Sequence, residues 1–208
     1  MVQRPLAAVI ARPGIRSPRD LEGRRVGVTG LPSDVAVLRS VVRGAGGDPD
    51  RVRTVTIGFN AVGALLSGRV DAATAFWNAE GVALARRRPG FREFRVDAYG
   101  APRYPELVVT ATRETVSERP QLVRKLRRTL TRGYRNAVRQ PGRTLNHMRA
   151  AIRGLDLALT RAQLAALRPA FSPVGRFDRR ALDAWAAWDV RFGILERRPD
   201  VARAFALG

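Results

Sequence analysis

Arg24-Arg-Val-Gly-Val-Thr-Gly-Leu-Pro-Ser-Asp-Val-Ala-Val-Leu-Arg-Ser-Val-Val-Arg-Gly-Ala-Gly-Gly47 holds a strand, a loop and a helix in one short span. Val26 and Val28 alternate with smaller or polar neighbours between Arg24 and Thr29, the period of a strand. Gly30-Leu31-Pro32-Ser33 reads as a loop. From Asp34 to Ala45 the apolar residues Val35, Leu38, Val41, Val42 and Ala45 recur at helical spacing, and Gly46-Gly47 closes the helix.

The same unit repeats downstream. Arg51 to Ile57 reads as a strand, Asn60 caps a helix running to Ser67, and Gly68 ends it. Val70 to Phe76 is an apolar strand and Ala79 to Arg87 a helix stopped by Pro89-Gly90. Arg92–Val96 and Glu106–Thr112 read as further strands. Upstream, Leu6-Ala-Ala-Val-Ile-Ala11 is a continuous apolar run, the mark of a strand buried on both faces. Ser17-Pro-Arg-Asp20 after it forms a capped helical turn that Gly23 stops. Strands alternating with helices over short loops predict an α/β fold, with a parallel-type sheet covered by helices.

After Thr112 the period becomes helical. Ser117-Glu-Arg-Pro120 opens a long helix to about Arg139, with Val123, Leu126, Leu130, Tyr134 and Val138 on one face. A second helix follows Pro141. Thr160 and Gln163 form a capping box for a third. Asp178 caps a fourth, in which Leu182, Trp185, Trp188 and Phe192 read as core.

Composition removes several chemistries. The 208 residues contain no cysteine, which excludes disulfides, zinc-thiolate sites and cysteine nucleophiles. His147 is the only histidine, so a His-based triad or metal site would have to be built around that single residue. The net charge of +20 comes almost wholly from arginine, Lys125 being the only lysine, and the arginines run from Arg4 to Arg203. With no basic tail and no basic stretch interleaved with aromatics, no specific nucleic-acid partner is expected. The Leu6–Ala11 run is too short for a signal-peptide core, and nothing approaches the roughly 20 apolar residues of a membrane span. Read literally, the chain is soluble and cytoplasmic.

In a parallel sheet, ligands bind outside the carboxyl ends of the strands. Here those ends are Thr29–Asp34, Ile57–Asn60 and Phe76–Glu80. Ser33 offers a hydroxyl and backbone N–H groups to a polar ligand edge, or caps the helix beside Asp34. Asn60 lies at a strand-to-helix corner, as a cap or a ligand contact. Phe76-Trp77-Asn78-Ala79-Glu80 brings an indole, an amide and an acid to one strand tip, with Phe76 assigned to the core. Trp77 is suited to stack on a flat heterocycle, while Asn78 and Glu80 are suited to bond its ring nitrogens and exocyclic amine. Glu80 as a first-turn charge is the competing reading. Tyr104, between two prolines, lines the crevice or faces solvent at a hinge.

Ser17-Pro-Arg-Asp-Leu-Glu-Gly-Arg-Arg-Val-Gly-Val-Thr-Gly30 resembles the opening of the second lobe of type II periplasmic solute-binding proteins. Asn60-Ala-Val-Gly-Ala-Leu-Leu-Ser-Gly-Arg-Val-Asp-Ala72 resembles their helix, glycine and aspartate-alanine strand. Phe76-Trp77-x-x-Glu80, with Asp97-Ala-Tyr-Gly-Ala-Pro-Arg-Tyr-Pro-Glu-Leu107, is similar to the branch that binds thiamine pyrimidine precursors, which also includes pyrimidine-precursor synthases. The resemblance implies residues 1–16 as a hinge strand and remnant of a first lobe, 17–108 as an α/β second lobe, and 109–208 as a helical return segment of the first. It places Met1 at the hinge and implies self-association through uncovered first-lobe surface. It implies a non-enzymatic solute-binding component of an ABC importer, working with a membrane permease in an extracytoplasmic parent protein. The solute, a pyrimidine-type thiamine precursor, would sit between the lobes, with no cofactor and no metal. The alternatives are a synthase-like enzyme, against which the missing cysteines count, and a binder of sulfonates or other small solutes.

The dispersed arginines predict duplex DNA binding that is weak, steeply salt-dependent and indifferent to sequence. A gel-shift assay at physiological salt checks this, and sequence-selective retardation would contradict it.

Overall fold

Five strands form one mixed sheet in the computed structural model, which describes residues 2–206. They are β1 (Ala7–Ala11), β2 (Arg25–Val28), β3 (Arg53–Thr56), β4 (Ala72–Phe76) and β5 (Arg92–Arg95), in the order β3-β2-β4-β1-β5. β2 runs parallel to β3 and β4, as the strand-helix alternation predicts. β1 departs from that expectation: it lies antiparallel to both β4 and β5. Its apolar run is buried between them, but burial on both faces says nothing about strand direction. Glu106–Thr112, expected as a strand, makes only a single bridge, Leu107 to Val2.

Helices α1 (Pro32–Gly44), α2 (Ala61–Leu66) and α3 (Val82–Arg87) connect the strands. Gly30, with φ of 104°, turns the chain from β2 into α1, a conformation open to glycine at little cost. At the other end of α1, Gly44 lies against the backbone of Tyr99, where an added Cβ would stand 2.6 Å from the Tyr99 carbonyl carbon. The turn at Ser17 forms as read: the Ser17 hydroxyl accepts from Arg19 N–H, and Asp20 Oδ2 accepts from Arg16 and Ser17 N–H at 2.9 Å. Those two bonds hold the Asp20 carboxyl below the usual carboxylate range.

The later helices are α4 (Arg113–Glu118), α5 (Pro120–Arg139), α6 (Pro141–Ala151), α7 (Leu157–Leu167), α8 (Arg179–Arg191) and α9 (Val201–Ala204). The third expected cap is displaced. Asp156, not Thr160, caps α7 by accepting from Leu159 N–H, and Thr160 lies inside the helix donating to Asp156 O at 2.7 Å.

The chain divides into two compact units. One comprises Pro105–Asp178 with residues 2–4, and is helical. The other comprises Pro5–Tyr104 with residues 179–206, and contains the whole sheet. These boundaries differ from the expected 1–16, 17–108 and 109–208. β1 belongs to the sheet through its pairing with β4 and β5. α8 returns to the sheet unit because the Trp188 indole donates to Ser40 Oγ in α1 at 3.1 Å. Trp185 stacks on Tyr104, centroids 5.0 Å apart and planes 13° from parallel. Met1, placed at a hinge by the family resemblance, lies outside the described residues.

Asp189 is an acid among these aromatics. It is buried on α8, and its Oδ1 accepts no hydrogen bond among the described residues. Burial pushes its carboxyl up to about 6, opposed by a hydrogen bond from the Trp185 side chain. The folded state therefore favours the protonated acid, and between an ordinary 3.8 and about 6 it binds more protons than the unfolded chain. Stability from this group is fully present below pH 4 and is lost as pH rises to 6. Asp189→Asn should flatten that fall and raise stability at pH 7 by at most about 3 kcal/mol. Denaturant unfolding at pH 4.5 and pH 7 measures both effects.

Candidate functional site

The parallel strands bring three loops to one edge. Val28 pairs with Thr56, and Gly27 with Ala73, so the chain leaves β2, β3 and β4 at neighbouring points on the same side of the sheet. The loops are Thr29–Asp34, Ile57–Asn60 and Phe76–Glu80, as expected from the sequence.

Within the third loop the roles of two aromatics are exchanged. Trp77, expected to stack on a ligand, is 5% exposed. Its indole N–H donates to Pro5 O at 2.9 Å, and its backbone N–H donates to Leu6 O. The Arg95 guanidinium lies 4.1 Å from its ring centroid, and Glu93 pairs with Arg95 at 2.9 Å. Phe76, assigned to the core, is 41% exposed. The reason is parity. The antiparallel neighbour β1 places the chain leading into Ala7 beside the end of β4, and that backbone supplies an acceptor for the indole N–H.

Residues Trp77–Gly81 form a π-helical turn, a local widening of the helix often found at functional sites. Glu80 is half-buried, and its Oε2 accepts from Phe76 N–H at 3.0 Å, leaving Oε1 as a further acceptor. Asn78 Oδ1 is buried and accepts no hydrogen bond among the described residues. A buried amide oxygen without a donor is costly, so it marks a place where a donor belongs.

The other expected residues fall in two groups. Ser33 is exposed in the first turn of α1, where the cap position is Leu31 and no side chain caps the helix. Asp34 does not cap α1 either. Its Oδ2 turns back to accept from Thr29 N–H at 2.6 Å and from the Thr29 hydroxyl, closing the loop. Asn60 is exposed at the cap position of α2 without a capping bond, its amide lying against Gly63. Tyr104 is not at this edge: it is buried between Trp185 and Trp188. Its prolines set a turn, but two indoles supplied by α8 decide where the ring goes.

Sequence reasoning passed over the apolar surface of the site. Phe59 is 87% exposed, and Leu31 and Val35 are also exposed. The signal lay in Phe59 itself, a large aromatic at a strand-to-helix corner beside Gly58, which has φ of 58°. No group of three or more His, Cys, Asp or Glu side chains suited to a metal occurs among the described residues. No helix among them is long and apolar enough to cross a membrane.

The chain is 32% identical over 149 residues to a formylaminopyrimidine-binding protein of Halalkalibacterium halodurans, covering 70% of this chain and 45% of that one. The chain thus spans about half the length of this curated relative. Its fold matches the periplasmic aliphatic sulphonate binding protein SsuA of Escherichia coli, with a TM-score of 0.72, 14% identity and coverage of 99% of this chain and 68% of the other. It also matches the alkanesulfonate-binding protein SsuA of Xanthomonas axonopodis pv. citri bound to MOPS, with a TM-score of 0.72, 19% identity and coverage of 100% and 71%. The fold is therefore that of a periplasmic binding protein. The family model described as NMT1/THI5 like matches residues 1–144, and the chain belongs to that family.

Proposed function

We propose that the sheet unit binds a small planar solute at the carboxyl edge of β2, β3 and β4, and that the solute is a pyrimidine-type thiamine precursor. One observation carries this reading. In a chain with 38 lysines and arginines, the loops Thr29–Asp34, Ile57–Asn60 and Phe76–Glu80 contain none. They present instead the exposed rings Phe59 and Phe76, the amides Asn60 and Asn78, the hydroxyl of Ser33, and the carboxylates Asp34 and Glu80. A sulfonate there would meet two acids and no cation from these loops. An aminopyrimidine offers π faces to the phenyl rings and N–H donors to Asn78 Oδ1 and Glu80.

The name of the Halalkalibacterium relative supports the same class of solute. The sulfonate-binding neighbours, at 14% and 19% identity, speak to the fold alone. The role that follows is delivery: the protein captures the solute outside the cytoplasm and presents it to the membrane permease of an ABC importer. A synthase-like enzyme would need a nucleophile and a base. The chain has no cysteine, and His147 is exposed on α6 in the helical unit.

Calorimetric titration with formylaminopyrimidine, a hydroxymethylpyrimidine and an alkanesulfonate tests the reading. The pyrimidines should bind and be recovered unchanged, and the sulfonate should not bind. Asn78→Leu removes an acceptor and Phe76→Ala a ring, and each should weaken pyrimidine binding about tenfold or more. Trp77→Ala should act on stability instead, costing about 3–5 kcal/mol. Tight sulfonate binding, or unchanged pyrimidine affinity in both edge variants, would overturn the proposal.

A further inference from the structure

The arginines are spread along the whole chain, but the carboxylates that offset them are not. Between Arg119 and Leu155 there are eleven Lys and Arg residues and no Asp or Glu. This span includes α5 and α6, which pack on one another within the helical unit. Nine of the eleven lie on these two neighbouring helices, with Arg119 and Arg153 just outside their ends.

The charge on α5 is sorted by face. Arg124, Lys125, Arg128 and Arg132 follow one another at spacings of one, three and four residues and are all exposed. With Gln121, Leu122 and Thr129 they line an open groove along the helix. Beside the stripe runs an apolar flank, and its two ends differ. Toward the C-terminus Ala137 is buried and Tyr134 packs edge-on against Phe171. Toward the N-terminus Leu122 is 51% and Leu126 45% exposed. The first half of α5 therefore presents a cationic stripe flanked by uncovered leucines.

We infer that α5 is a docking surface for a membrane bearing anionic lipid headgroups. Charge complementarity names the sign of the partner: four cations without a carboxylate in the span require a dense, extended anion. The leucines select the kind of anion. A bilayer surface offers phosphate to the stripe and an acyl boundary to Leu122 and Leu126, as interfacial amphipathic helices use it. A nucleic acid would call for stacking aromatics beside the cations. The one aromatic on α5 is Tyr134, which is occupied with Phe171. The surface is independent of the solute site, which lies in the sheet unit.

The test is cosedimentation of the whole chain with phosphatidylcholine vesicles, with and without phosphatidylglycerol. A protein of charge +20 adheres to many anions, so the comparison is between two triple variants that lose the same charge. Arg124→Gln, Arg128→Gln and Arg132→Gln remove the stripe. Arg86→Gln, Arg87→Gln and Arg88→Gln remove an exposed run on the sheet unit. These are exposed positions, and circular dichroism verifies that both variants stay folded. The expected result is binding that requires phosphatidylglycerol, falls on the order of a hundredfold in the stripe variant, and falls no more than about threefold in the control. Leu122→Ser with Leu126→Ser should also weaken it, at unchanged charge. Equal losses in the two triple variants would overturn the inference, as would binding of duplex DNA through the stripe without binding of anionic vesicles.

Discussion

The Trp77 indole N–H meeting the Pro5 carbonyl is the contact on which the rest of the sheet's carboxyl edge depends. It ties the first residues of β1 to the last of β4, and it decides which side of the strand tip each aromatic occupies. With Trp77 inside, Phe76 is turned out. Arg95 closes over the indole face, and its pairing with Glu93 brings β5 into the same assembly. Gly81 completes the fit, since a Cβ there would run into the Glu93 carboxylate. The two ends of the π-helical turn, Trp77 and Gly81, are thus both fixed by contacts from Pro5, Glu93 and Arg95. A turn supported in this way keeps its geometry without drawing on a ligand for order.

One arginine-rich composition yields two opposite electrostatic environments. Around the solute edge the loops hold no cation, and the carboxylates there are engaged by backbone donors, Asp34 by Thr29 and Glu80 by Phe76. On α5 and α6 the cations have no carboxylate among them. Small anions should be drawn to the helices and gain nothing at the edge. An edge inside a strongly basic protein escapes the pull on anions only if its loops are kept clear of cations in this manner.

The sequence reading succeeds where local chemistry is sufficient and fails where distant segments decide. Ser17 and Asp20 carry their own capping partners, and the strand-helix alternation from Arg24 to Phe76 carries its own periods, so these were legible. The direction of β1 was not, because a short apolar run has no polarity until its partners are known. The boundary of the sheet unit was missed because Trp188 reaches Ser40 across most of the chain. The meeting of three loops at one edge of the sheet followed from strand direction alone. The exchange of Phe76 and Trp77 did not, because the indole's acceptor belongs to Pro5, more than seventy residues earlier. Tyr104 was misplaced for the same reason, its stacking partner being Trp185.

The sheet unit is discontinuous, since its last helices follow the helical unit in the chain. A ribosome therefore releases β1 through β5 and the whole of the helical unit before the residues that cover Tyr104 and Ser40 exist. During that interval the aromatic core of the sheet unit has an open side, and the strand pairings made so far must persist without it. Its completion is a late, long-range event of the kind that slows folding. The binding edge, by contrast, needs nothing beyond Arg95, so the part of the molecule that would hold a solute can be assembled while the core behind it is still unfinished.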